Sequence, residues 1–401
     1  MDMYHWDVVC AMSCREINKK LPSAVCNALS HFSWSDGAGN HISGEFSGWE
    51  IVAGGDAQRL NLIVPLIAGK MKGSILGKNI DVAVDGLCPK LQIELALIGG
   101  EGRIVVQDSD MNNLFSGAEA IIPVLFCRLM VKMLAARHEE IAAIFANILV
   151  IPEKSDVAWM KMQLFQYAYN EKLNGKLGCL AILGLLDSNA YPPPSNELQR
   201  VYDSSLIGER GSIGFMISRQ VFMKNVVLPV LPEVFKGAAA GQFFLANHDV
   251  IRNNGDISLN KINGYTPYFN HFALEVVDRR IHIYNLRGRC DVVFNSSYVS
   301  FNLSAAYIPQ LSFVAGRYRV DFVSVTRPVF SCQGHDTLAQ IFWIFGGWVV
   351  DALIQGIRSQ MEHLLSKFGN GGISLDICPI KFNTASNYTE CGLARNFFMR
   401  N

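Results

Sequence analysis

Residues 338–368 read LAQIFWIFGGWVVDALIQGIRSQMEHLLSKF. Leu338, Phe342, Phe345, Val349, Ala352, Gly356, Met361, Leu364 and Phe368 recur at helical spacing, and Ile341, Trp348, Leu353, Ile357 and Leu365 widen the stripe. Thr337 to Gln340 fits a capping box, Lys367 falls in the last turn, and Gly369-Asn370-Gly371-Gly372 is a stop signal. The first half is apolar nearly all round because Trp343, Ile344, Val350 and Ile354 lie off the stripe. The second half is amphipathic, with Arg358, Ser359, Glu362, His363, Ser366 and Lys367 on the far side. A helix apolar all round must be enclosed. Lipid is a poor enclosure, since Gln340 and Asp351 fall inside the candidate window. Protein is the better one, and no membrane span is expected.

The enclosing material reads as β-structure. Downstream, Ile373 to Ile377 alternates. Upstream, Leu60–Leu66, Ile80–Val84, Leu91–Leu97 and Ile104–Val106 alternate between glycine-rich turns, which predicts a meandering antiparallel sheet. In the second half, Ile257–Leu259, Phe272–Val276 and Ile281–Ile283 alternate as well. There Val299, Phe301 and Leu303 are expected to pair with Tyr318, Val320 and Phe322. The fold class is therefore α+β, with long helices served by antiparallel strands.

Other helices are expected at 4–30, broken or kinked near Pro22, at 118–137, and at 219–235, broken at Pro229 and Pro232. Residues 140–151 fit a strand or a helix equally. Tyr191-Pro-Pro-Pro excludes a regular element, so 191–211 is read as a linker between halves 1–190 and 212–401. Both halves open alike. Val8 to Ser13 and Ile213 to Ser218 are apolar runs ending in Ser before a helix, a hint of two related halves.

The 401 residues are half hydrophobic and 17% charged, with zero net charge. That composition does not fit a nucleic-acid binder, which needs a basic patch. The opening MDMYHWDVVC has no signal-peptide pattern, so synthesis in the cytoplasm is expected. Ten cysteines show no paired metal spacing, and no cofactor or metal site is expected. Nor is an enzyme. His138-Glu139-Glu140 lacks the second histidine of a zinc helix, and Gly208 to Gly214 lacks the Lys-Ser/Thr of a phosphate loop. Ser218 and His335-Asp336 read as helix caps.

Several blocks resemble the P47 family, proteins encoded beside botulinum-type and insecticidal toxins. They are Tyr4-x-Trp6-Asp7-x-Val9-x-Ala11-x-Ser13 with Asn18, Gly48-Trp49-Glu50-Ile51 with Gly54-Gly55, and Trp159 with Tyr167-Ala168-Tyr169. The last is Phe215-Met216-Ile217-Ser218-x-x-x-Phe222 with Leu228-Pro229. The resemblance implies a tubular lipid-binding (TULIP) fold like that of bactericidal/permeability-increasing protein, a long helix wrapped by a highly curved antiparallel sheet. It further implies a lipid or other apolar ligand in the seam, or else a toxin or sister cluster protein as partner, with release alongside a toxin as one route out of the cell. Trp6, Met12, Phe222, Met223, Phe342, Phe345 and Trp348 are the groove candidates. They line a groove if the sheet stands off from the helices and are core if it packs tightly.

Substitution separates the two cases. Trp348→Ala is expected to cost roughly 3–5 kcal/mol in a denaturant melt if the ring is core. If the ring lines a groove, the cost is much smaller and ligand uptake falls instead.

Overall fold

The structure is a computed structural model. It describes residues 1–75, 78–96, 104–106, 121–148, 158–172, 176–187, 194, 197–208, 211–235, 237–239, 241–247, 249–292, 297–314, 317–335, 347–369, 375–377 and 387–401. Two compact units divide the chain. One holds 2–215, 379–388 and 400–401; the other holds Met1, 216–378 and 389–399. The division falls inside the strand Ile213–Ile217.

In the first unit the chain opens with a strand, Val8–Ser13, rather than a helix, and every residue of it is buried. The helix begins only at Cys14 and runs to Leu29. Ser13 sets that boundary: its hydroxyl accepts the Glu16 N–H at 3.4 Å, an N-cap that stops the strand and starts the helix. Pro22 does not break this helix. It lies against Gly48, whose φ is +148° and whose missing Cβ would sit 2.9 Å from the proline ring. Asn18, four residues before Pro22, clamps the helix to the strand Glu50–Asp56. Its side-chain amide donates to the Ile51 carbonyl and accepts the Ile51 N–H, both at 2.9 Å.

The predicted meander is two four-stranded sheets instead. His31–Ser35, His41–Phe46, Leu66–Ile75 and Lys78–Ala83 form one; Glu50–Asp56, Arg59–Ile63, Lys90–Glu94 and Ile104–Val106 form the other. Adjacent hairpins thus pair across gaps in sequence, a choice that alternation alone does not encode. The segment 140–151, which fits a strand or a helix equally by its sequence, is helical as far as it is described: the helix runs His138–Ile148, with Ile141, Ile144, Phe145 and Ile148 buried. Ile121–Ala136 is the expected helix before it. The three-proline segment lies outside the described residues apart from Pro194.

The second unit repeats the opening device. The strand Ile213–Ile217 ends at Ser218, whose hydroxyl accepts the Val221 N–H at 3.3 Å. The helix that follows is segmented: an α-turn at Arg219–Phe222, a π-turn at Met223–Val227, a 3₁₀ turn at Leu228–Val230 and a last α-turn at Leu231–Val234. Pro229 and Pro232 sit in the first positions of the last two turns, where a missing N–H costs nothing. They segment the helix without ending it.

A nine-stranded antiparallel sheet fills the rest of this unit. Its axis is the strand Ser297–Val314, which pairs with Arg280–Val292 along one edge. The other edge is shared. Residues 298–304 take Val329–His335 and residues 307–314 take Arg317–Ser324. Val299, Phe301 and Leu303 therefore do not face Tyr318, Val320 and Phe322 as expected. Leu303 pairs with Phe330 and Phe301 with Cys332, while Tyr318 lies opposite Phe313. The long helix is described from Gly347 to Gly369, and Leu353, Ile357, Met361, Leu365 and Phe368 are its buried stripe.

Asn18 gives a sharp test of the first unit. Asn18→Ala strands both the N–H and the carbonyl of Ile51, and is expected to lower stability by about 2–3 kcal/mol in chemical denaturation.

Candidate functional site

The long helix meets the sheet of its own unit through rings. Phe368 stacks on Phe322 at 5.2 Å and tilts against Tyr307 at 4.8 Å. Phe322 meets Phe222 edge-on at 6.5 Å, and Phe222 stacks on Phe397 at 4.7 Å with the planes 3° apart. These contacts are within the range of favourable aromatic pairs, so this part of the helix–sheet seam is filled.

Space opens beside it. Along the last turns of the helix, a cavity of about 140 Å³ lies between the helix, the end of the segmented helix, and residues 258–260 after the short strand Ile257–Ser258. Phe235, Leu259 and Leu364 form its apolar surface. Gln360, His363 and Lys367 join Leu364 from the helix, at the i, i+3, i+4, i+7 spacing that places side chains on one face. Gln360 is held there, since its amide donates to the Asn260 carbonyl at 2.9 Å. The wall at Gly237 is bare backbone: a Cβ there would fall 1.9 Å from the Ser258 carbonyl oxygen. Ile262 rests on Gly356 of the same helix, where a Cβ would come 2.7 Å from it, which brings the 257–265 segment close.

The sequence candidates fall elsewhere. Trp6 is buried in the first unit with its indole N–H donating to the Gln199 carbonyl at 2.8 Å, and Met12 is buried opposite Leu180. Phe222 and Met223 are fully buried in the second unit, Phe222 within the ring cluster. Trp348 lies in the first turn of the long helix as described; Phe342 and Phe345 lie outside the described residues. None of Trp6, Met12, Phe222 and Met223 touches the cavity. Of its polar residues, His363 and Lys367 fall on the far side of the helix from the apolar stripe in the sequence pattern. The legible signal was the 360, 363, 364, 367 spacing with no acid on it.

The groups weighed for catalysis have structural partners. Ser218 caps its helix, and His138 to Glu140 open the helix His138–Ile148. His335 stacks on Tyr298 at 4.5 Å, and its Nε2 lies 2.7 Å from the Ser300 hydroxyl, on the strand pair Val329–His335 and Ser297–Val314. Burial pushes the Cys290 and Cys332 thiols up to about 11 and those of Cys127 and Cys391 to about 12. These sulfurs stay protonated near neutrality, the opposite of an activated nucleophile. No group of three or more metal-ligating side chains occurs among the described residues, and no described helix is long and apolar enough to cross a membrane.

With this geometry in place, the chain can be set beside known proteins. The solved structure of P47 from Clostridium botulinum A2 matches with a TM-score of 0.74 at 19% identity, covering 100% of this chain and 98% of that one. A second structure, P47 of Clostridium botulinum E1, gives 0.71 at 18% identity. The fold is thus that of P47, α+β and mostly antiparallel. The family model described as OrfX-like, Protein OrfX2/OrfX3/P47, matches residues 129–296. Protein P47 of Clostridium botulinum (strain Kyoto / Type A2) is 26% identical over 246 residues, 57% of this chain and 56% of that protein. Protein OrfX3 of Paraclostridium bifermentans is 21% identical over 325 residues, 68% of this chain and 65% of that protein. The chain is a relative of the P47 and OrfX3 proteins, and it spans less than two thirds of the length of these two curated relatives.

Thiol chemistry provides a check on the site assignment. In the native protein Cys26 and Cys88, both exposed, are expected to react with a thiol reagent at neutral pH, whereas Cys10, Cys14, Cys127, Cys179 and Cys290 react only after denaturation. The raised thiols ionise in the unfolded chain before the folded one. Stability is therefore complete below pH 9 and falls as the pH rises through about 11, the value for Cys290, which a pH series of urea melts would record.

Proposed function

We propose that this chain is a non-enzymatic binding protein of the toxin-cluster class, built on the tubular lipid-binding plan, which takes an apolar ligand at the seam of its long helix. The observation that carries the reading is the cavity beside the helix, with Phe235, Leu259 and Leu364 on its apolar surface. Burial of apolar ligand surface there is worth about 25 cal/mol per Å². The relationship to P47 and OrfX3 supports the class, and the absence of an activated nucleophile among the described thiols fits a binding role.

One observation favours a second reading, an accessory or chaperone-like protein that docks a toxin or sister cluster protein on its surface. The hairpin of Ser297–Val314 and Arg317–Ser324 exposes Ile308, Phe313, Val314 and Val323, and Val329 nearby is 71% exposed. Aromatic and aliphatic side chains grouped in this way mark partner surfaces more often than isolated ones do.

Native mass spectrometry of the purified protein, with organic extraction of what dissociates, tests the first reading. A stoichiometric lipid or fatty acid is expected. A chain that stays bare after incubation with mixed liposomes, yet retains a toxin-cluster protein in a pull-down, would replace it with the second.

A further inference from the structure

The cavity is not purely apolar, and the one charged residue among its lining residues is a lysine. Lys367 and His363 are four residues apart on the helix, Gln360 completes the row with its amide already fixed on Asn260, and no carboxylate is among the lining residues. Lys367 is half-buried as a residue, lines the cavity with Leu364 and Phe235, and has no ion-pair partner among the described residues. We propose that this cavity recognises the anionic head of a small amphiphile, a carboxylate or phosphate on a short apolar stem. Lys367 and His363 hold the head, and Phe235, Leu259 and Leu364 receive the stem. The inference rests on the apolar-ligand reading above and names the ligand class for that same cavity.

Size agrees with this assignment. A water-sized group takes about 30 Å³, so 140 Å³ accommodates a head and the first few methylenes of a stem, not a whole lipid. Gly237 allows its backbone to approach the Ser258 carbonyl closely, since a Cβ there would fall 1.9 Å from that oxygen, and so this wall of the cavity carries no side chain. A competing account has Lys367 and His363 there only to offset the negative end of the helix dipole. That account predicts a small loss of helix stability on neutralisation and no change in binding.

Titration calorimetry with hexanoate, hexyl phosphate, 1-hexanol and inorganic phosphate separates these accounts, using wild type, Lys367→Gln and, as a remote control, Lys132→Gln. Glutamine matches lysine in helix propensity, so Lys367→Gln is expected to fold. Hexanoate and hexyl phosphate are expected to bind the wild type and the control alike, with affinity about tenfold weaker in Lys367→Gln, while 1-hexanol binds weakly and equally to all three. If 1-hexanol binds as tightly as hexanoate, the apolar-ligand reading stands and the head-group inference falls. Unchanged hexanoate affinity in Lys367→Gln overturns the inference as well. If inorganic phosphate binds as well as hexyl phosphate, and only with Lys367 present, the cavity is a free-anion site and the stem is refuted. No binding by any of the four probes overturns both readings.

Discussion

The second unit depends on one constraint: the inner face of a nine-stranded sheet must be covered, and the long helix covers the part formed by Ser297–Val314, Arg317–Ser324 and Val329–His335. The helix meets this demand through its aromatic end, where Phe368 lies between Phe322 and Tyr307, and Phe322 passes the contact on to Phe222. Phe222 belongs to the segmented helix, and its own ring is stacked on Phe397 near the chain terminus. Rings from four distant parts of the sequence are thus fixed by mutual packing. Removing any one leaves the others with unfilled space, which is the costly kind of core change.

The residues that carry the resemblance to P47 are tie points of this kind, not chemical groups. Trp6 fixes its segment through the Gln199 carbonyl, Asp7 accepts the Leu186 N–H, Ser13 and Ser218 cap helices, and Asn18 clamps Ile51. Gly55, from one block, lies where a Cβ would meet the ring of Tyr169, from another, at 2.9 Å. Each role demands a particular side chain or none. The rest of a core needs only apolar volume, which many sequences supply. Such a division explains how a fold persists at 19% identity while short blocks remain readable.

The legible parts of the fold were local. Alternation placed strands such as Arg59–Ile63, Lys90–Glu94 and Tyr268–Val277 but not Val8–Ser13, helical spacing placed the helix expected at 118–137 and the described part of the long helix, and the two serines marked where strand gives way to helix. What escaped was set by contacts distant in sequence. Alternation fixes which face of a strand is buried but not its neighbour, so the interleaved sheets and the shared edge of Ser297–Val314 were hidden. Pro22 was read as a break or kink because its partner Gly48, 26 positions away, could not be seen to receive it. Large aromatic residues drew attention as a groove for the same reason. Size marks them as buried, and burial is where Trp6 and Phe222 are found.

The location of the open space follows from the same packing. Where rings stand 4.7–5.2 Å apart, admitting a ligand would mean parting favourable pairs and ordering the guest in their place. At Phe235 no such pair with the helix has to be parted. The opposing wall is Gly237, the helix presents Leu364 between a lysine and a histidine, and the volume exists before any ligand arrives. A preformed cavity avoids the cost of opening the core, and polar residues at its rim leave a charged head within reach of water. Under the ligand reading proposed above, the guest sits beside the aromatic core, where no ring pair with the helix has to be parted to admit it.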